Sequence, residues 1–405
     1  MPANRSRATL KAKLVLVLSA TLACLTCCEI ALRLLHPLPD PYLSRQTWHP
    51  YLPTWIGVAG ADRIVDTRGL HGVPYPQVRV RRNAFSFTDD REEFATLPKS
   101  PDEFRIVCIG GSTTECFALE RKDSWPAVLE ASLQKQLGDT KQVSCVNLGV
   151  CATPLRTYLA TLSHYAIHLQ PDVVIAYIGI NDLCFGVKFE GDPIFDYRFD
   201  PFARDHINRS PGCQYQLLNW LQLGRHVHSL IKRDEKGSHR NGDPRFFADH
   251  VPDPTSSKEV DLSFSMDPVA ARQYRFNLRS LAGICQCNHA RLLVLTAPAL
   301  WRTDPMTDEE LRQLWLRPSA GDHVASPATC RRLLDARNEL TRSVCREADI
   351  LCLDLATMVP SSPEYFYDDA HVNVAGARLV AGMLTNRLLE QDFADVWAAS
   401  TPREN

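Results

Sequence analysis

"RIVCIGGSTTE", residues 105–115, begins as an apolar run, breaks at Gly110-Gly111 and continues as a string of hydroxyls ending in an acid. Ile106, Val107, Cys108 and Ile109 show no polar alternation, as expected of a strand covered on both faces. Parallel α/β sheets bind ligands beyond the carboxyl ends of their strands, so a serine that follows such a strand after a glycine turn is placed where chemistry happens. The fold therefore turns on whether further strands of this kind follow.

Four do. "QVSCVNLG" (142–149), "DVVIAYIG" (172–179), "RLLVLTAP" (291–298) and "ILCLDL" (350–355) are short, rich in β-branched residues or leucine, and apolar on both faces. Longer amphipathic segments lie between them. Ser124 precedes "WPAVLEASLQKQL" as a capping residue with a proline in the first turn, and Thr153 precedes Pro154 in the same way. Leu155, Tyr158, Leu159, Leu162, Ala166 and Leu169 then form a stripe at helical spacing. The pattern predicts an α/β fold: a three-layer α/β/α, doubly wound, flavodoxin-like arrangement around a five-stranded parallel sheet.

With 405 residues, 45% apolar and 23% charged, the chain is long enough for one large α/β domain with appendages. A formal net charge of -2 offers no basic surface, so nucleic acid is not an expected partner. The amino terminus is different in kind. Arg5, Arg7, Lys11 and Lys13 precede an apolar stretch, residues 14–28, that continues past Glu29 to Leu32. A membrane-spanning helix needs about 20 residues, and the small-x-small sites of a cleaved signal are poorly formed here. An uncleaved signal anchor is the favoured reading. A cleaved signal, a lipoprotein signal at Cys24, Cys27 or Cys28, and a buried soluble helix are the alternatives. The positive charges then leave the amino end in the cytoplasm and the remainder periplasmic or extracellular.

The expected organisation is a cytoplasmic tail and anchor helix (1–36), a linker and accessory segment (37–102), the α/β domain (103–392) and a carboxyl-terminal tail (393–405). Within the accessory segment "VRVRRNAFSF" (78–87) reads as a hairpin. Residues 185–268 interrupt the α/β alternation as a long insert. Its aromatic first half (Phe185, Phe189, Phe195, Tyr197, Phe199, Phe202) is expected to be ordered near the site, and its polar second half to be mobile. Cys108, Cys145 and Cys352 read as small hydrophobes in strands. Cys285 and Cys287 lack a second thiol pair, and His164 and His168 lack a third ligand, the latter two reading as a solvated helix face. No metal and no cofactor are expected.

Four blocks at strand ends carry the chemistry: Gly110-Gly111-Ser112, then Gly149 to Ala152, then Gly179-Ile180-Asn181-Asp182, then Asp368-Asp369-Ala370-His371. Together they hold a hydroxyl nucleophile, amide donors, an imidazole and a carboxylate, the parts that acyl transfer requires. Over residues 103–390 their order resembles that of the SGNH hydrolases, or GDSL-type esterases and lipases. The resemblance implies Ser112 as nucleophile, His371 as base and Asp368 as its orienting acid, although spacing alone leaves Asp369 available. It implies an oxyanion hole made by the N–H of Ser112, the N–H of Ala152 and the side-chain amide of Asn181. Two positions depart from the family pattern. Gly111 replaces an aspartate, a form similar to the membrane-anchored bacterial branch. Ala152 stands where a glycine is usual, with Gly149 as the donor if the block is shifted. Pro154 biases Thr153 to extended geometry, and alanine tolerates positive φ poorly, so a negative φ is expected at Ala152.

The favoured function is hydrolysis of an acyl ester, foremost an acetyl ester, of a small molecule or glycan. Two alternatives stand beside it: transfer of the acyl group to an envelope polysaccharide, and a catalytically silent protein that binds glycan.

Overall fold

The five apolar runs form one parallel sheet in the computed structural model, which describes residues 3–36, 46–48, 55–89, 99–138, 141–189, 221–231, 258–259, 264–266, 268–317, 319–320, 323–390 and 393. Its strands are β1 (Glu103–Gly110), β2 (Gln142–Asn147), β3 (Val173–Tyr177), β4 (Arg291–Leu295) and β5 (Leu351–Leu353), in the order β5-β4-β3-β1-β2. The chain winds outward from β1 to β2, then returns past β1 to β3 and continues the other way. The reversal leaves a crevice at the carboxyl ends of β1 and β3, where Gly110 lies opposite Tyr177.

Side-chain alternation along β1 divides the core. Ile106 and Cys108 join Trp125, Leu129 and Leu133 of α2 (Trp125–Leu137) and Val380 and Leu384 of α7 (Val374–Leu388). Val107 and Ile109 join Leu155, Tyr158 and Leu162 of α3 (Leu155–His164) and Tyr274, Leu278 and Leu281 of α5 (Pro268–Cys287). The period of two thus places one set of residues under each helical layer. Burying each Leu or Ile stabilises this three-layer fold by about 2 kcal/mol. Further helices include the single turn α1 (Ser112–Glu115), α4 (Ile180–Gly186) and α6 (Pro327–Glu347).

Neither of the two expected caps turns its hydroxyl to the helix it precedes. Ser124 occupies the N-cap of α2, but its hydroxyl donates to the Arg121 carbonyl at 2.6 Å. Thr153 is not the cap of α3: Pro154 holds that position, and Thr153 turns its hydroxyl to the Val150 carbonyl. The first N–H of α3, from Leu155, donates instead to the Asp182 carboxylate at 3.0 Å, an acceptor supplied by the neighbouring strand end.

The accessory segment pairs differently from the sequence expectation. Gln77–Arg81 lies antiparallel to Asp62–Asp66, so the strand partner of "VRVRR" is upstream. Residues 82–87 curl back instead, with the Asn83 side chain accepting the N–H groups of Phe85 and Phe87. Val65, Val78 and Val80 of this ribbon pack with Phe117, Ala118 and Tyr367.

The insert leaves and rejoins the domain through an antiparallel pair, Val187–Phe189 with Phe264–Met266. Phe195, Tyr197, Phe199, Phe202 and the polar run "KRDEKGSHRNGDPR" lie outside the described residues, as do the 37–42 linker and the tail beyond Phe393.

By compactness the chain divides into two units, residues 1–44 with 199–241, and residues 45–198 with 242–405. In the first, Leu10–Leu35 is long and apolar enough to cross a membrane, with mean hydropathy 2.2, a property signal sequences share. Glu29 accepts the N–H groups of Gln222 (2.8 Å) and Leu223 (2.9 Å), capping helix Gln222–Ile231, and pairs with Arg33. In the second unit Cys108, Cys145 and Cys285 are buried, whereas His164 and His168 face solvent.

Candidate active site

β1 ends at Gly110, Gly111 forms the N-cap, and Ser112 opens the one-turn helix α1 at the crevice. Gly111 and Asn181 approach closely: a Cβ on Gly111 would lie 2.2 Å from the Asn181 amide nitrogen, so a side chain there would displace Asn181. Gly149 is confined in the same way, since a Cβ would lie 2.2 Å from the Glu115 backbone nitrogen.

The loop after β5 brings His371 to the serine. Its Nε2 lies 2.6 Å from the Ser112 Oγ, and its Nδ1 lies 2.7 Å from Asp368 Oδ2. The arrangement suits the tautomer in which Nδ1–H donates to Asp368 and Nε2 accepts the serine proton. Asp368 Oδ1 accepts the N–H groups of Ala370 (2.9 Å) and His371 (2.8 Å), so the carboxylate is fixed by the loop it orients. The imidazole is held between rings: Tyr367 stacks at 5.4 Å, Trp315 stacks at 5.5 Å, and Phe117 presents an edge at 5.3 Å. Just beyond, Asn373 caps α7 by accepting the Gly376 N–H at 3.0 Å.

Asp369 faces away from the histidine. It accepts the Trp301 indole N–H at 2.6 Å, the Leu316 N–H at 2.8 Å and the Trp315 N–H, and so ties the segment that carries Trp315 to the histidine loop. Burial, helped by the charge of Asp368, pushes its carboxyl up to about 7 against these three donors.

The turn between β2 and α3 departs from expectation. Ala152 has φ +55°, in the left-handed region, where a negative value was expected. The cause lies in its ties. The Thr153 carbonyl accepts the Asn181 amide at 2.9 Å and the Tyr158 hydroxyl, and the Cys151 N–H donates to Glu115 at 2.8 Å. These bonds hold Ala152 in a conformation that costs alanine about 1–2 kcal/mol. The Gly149 N–H donates to the Asn147 side chain at 2.9 Å, so the shifted alignment offers a donor already engaged. The Ser112 N–H, at the start of a helix, has no intrahelical acceptor. Asn181 donates one of its two amide N–H groups to the Thr153 carbonyl.

Some tasks at this site carry no advance signal, that of Asp182 in the third block among them. Asp182 receives the first amide of α3. Burial pushes its carboxyl up, while Arg337 and the Leu155 amide oppose the rise. Trp301 and Trp315 come from an irregular segment with no motif. Among the described residues no group of three His, Cys, Asp or Glu side chains is arranged to hold a metal ion.

No family model matches the chain, and no curated protein matches it. Among solved structures it is similar to the acetylxylan esterase Axe2 from Geobacillus stearothermophilus, at 15% identity over 71% of this chain and 95% of that one, with TM-score 0.39. It is also similar to the acetyl xylan esterase AlAXEase, at 12% identity over 71% and 100% of the two chains, with TM-score 0.38. A lipolytic protein of the G-D-S-L family from Desulfitobacterium hafniense is similar at 13% identity over 70% and 98%, with TM-score 0.36.

Proposed function

We propose that this chain is a serine ester hydrolase of the SGNH, or GDSL-type, superfamily, removing an acyl group through an acyl-serine intermediate. The observation that carries the reading is the continuous chain of hydrogen bonds Ser112–His371–Asp368, with separations of 2.6 and 2.7 Å. A serine hydroxyl is a poor nucleophile until a base takes its proton, and His371 Nε2 is positioned to do so. As Ser112 Oγ bonds to the ester carbonyl carbon, the proton passes to Nε2. Asp368 stabilises the imidazolium that results. The developing oxyanion takes the Ser112 N–H, the Ala152 N–H and the second N–H of Asn181, each donor contributing about 3 kcal/mol. The tetrahedral intermediate collapses, the alkoxide leaves with the proton from His371, and water resolves the acyl-serine by the reverse sequence.

Ser112 and His371 are 5% and 3% exposed, and the Trp315 and Tyr367 rings stack near the imidazole. Such confinement favours a small acyl group, acetyl foremost, on a larger alcohol that remains outside. The full chain in detergent, given p-nitrophenyl acetate, is expected to release p-nitrophenol and free acetate. Adding an acetyl-free oligosaccharide acceptor separates hydrolysis from transfer: acetylated oligosaccharide at the expense of acetate would make the protein a transferase. Neither product from any acetyl ester would make it a silent binding protein.

A further inference from the structure

We infer that Glu115, through its pairing with Arg82 of the accessory segment, holds the turn that bears the Ala152 donor and is a positioning residue for the chemistry at Ser112; the inference rests on the serine-hydrolase reading. Glu115 ends the single helical turn that Ser112 begins, so one turn of chain places both the nucleophile and this carboxylate. Its side chain has no exposure. One oxygen accepts the N–H of Cys151, the residue before Ala152, at 2.8 Å. The other pairs with Arg82 at 2.9 Å and Arg63 at 3.2 Å.

Arg82 closes the arrangement. The same guanidinium nitrogen that meets Glu115 donates to the Gly149 carbonyl at 3.0 Å, and its twin donates to the Ser86 carbonyl at 2.8 Å. Residues 149–151 are thereby gripped at a carbonyl on one side and an amide on the other, immediately before the strained residue. The arginine itself has little room, because a Cβ on Gly57 would lie 2.2 Å from its guanidinium. A buried carboxylate is stable only while such partners compensate its lost hydration. Alanine at φ +55° is disfavoured, so without the grip the turn relaxes and the Ala152 N–H leaves the oxyanion position. The ribbon and turn at 62–87 thus supply part of the site's geometry from outside the sheet.

A double-mutant comparison tests this in the full chain with p-nitrophenyl acetate. Glu115→Gln should lower kcat by about tenfold or more and leave KM within about threefold, the pattern of a lost transition-state interaction. Glycine adopts the left-handed turn without a tether. In an Ala152→Gly background the same Glu115→Gln change should therefore cost less than about threefold. A Glu115→Gln enzyme within about twofold of its parent overturns the inference, as does an equal loss in both backgrounds. If Glu115→Gln does not fold by circular dichroism, Arg82→Lys is compared in the same two backgrounds, with the same two outcomes deciding. Ser112→Ala, run in parallel, separates the levels. Undiminished activity in that variant defeats the hydrolase reading, whereas its inactivity beside an unimpaired Glu115→Gln enzyme defeats only the positioning role.

Discussion

Asp368 Oδ2 lies 2.7 Å from His371 Nδ1, while its neighbour Asp369 turns the other way to accept the Trp301 indole N–H at 2.6 Å. Two adjacent acids thus serve different partners. Asp368→Asn removes the charge that stabilises the imidazolium and should lower turnover by about four orders of magnitude, as for the orienting acid of other triads. Asp369→Asn should cost far less. Steady-state kinetics on the two variants check the assignment, and the reverse order would transfer the role to Asp369.

Asp369 should instead show itself in stability. Its folded-state pKa of about 7 lies above the ordinary 3.8, so between these values the native state holds a proton that the unfolded state releases. The stability contributed by the protonated form is fully present below about pH 4 and is lost as pH rises through about 7. Urea unfolding of the parent should therefore include a loss of stability between pH 5 and pH 8 that is missing in Asp369→Asn. The same pH dependence in both proteins would contradict the assignment.

Asn181 holds the Thr153 carbonyl at 2.9 Å and is proposed to offer its second N–H to the oxyanion. Asn181→Ala should lower kcat by about two to three orders of magnitude with a much smaller change in KM. A loss of less than about threefold would remove it from the oxyanion hole.

The N-terminal helix is proposed as an uncleaved anchor with the catalytic domain outside the cytoplasm. After carbonate washing the full-length chain should remain with membranes, and in intact cells protease should reach the catalytic domain only from outside. Release of a shorter soluble form would contradict the anchor and favour a cleaved signal.

The central strands were legible because runs such as 106–109 are apolar on both faces, a pattern that few other elements produce. The chemical blocks stand out in the sequence because each lies after a strand-like run. The accessory ribbon was not: in Asp62–Asp66 only Val65 is buried, so the partner of Gln77–Arg81 has no apolar alternation to announce it. The backbone of Ala152 was also beyond local reading. It is set by Asn181 and Tyr158, which seize the next residue's carbonyl, and by Glu115, 36 residues before the amide it holds. Local propensity argued for the opposite sign of φ, and these tertiary ties prevailed. The division of labour between Asp368 and Asp369 depends on Trp301 and Leu316, 68 and 53 residues upstream of Asp369, and adjacent acids in a sequence do not disclose it.

The 2.6 Å contact between Ser112 and His371 joins residues 259 apart, and the account stands on it. The most direct measurement is covalent labelling of the full chain by a fluorophosphonate, with the modified residue located by peptide mass spectrometry. The account predicts one label, on Ser112, lost in Ser112→Ala together with acetyl-ester hydrolysis, and strongly slowed in His371→Ala. Labelling at another residue, or a Ser112→Ala protein that hydrolyses acetyl esters within about tenfold of its parent, a barrier change of only about 1.4 kcal/mol, would contradict it.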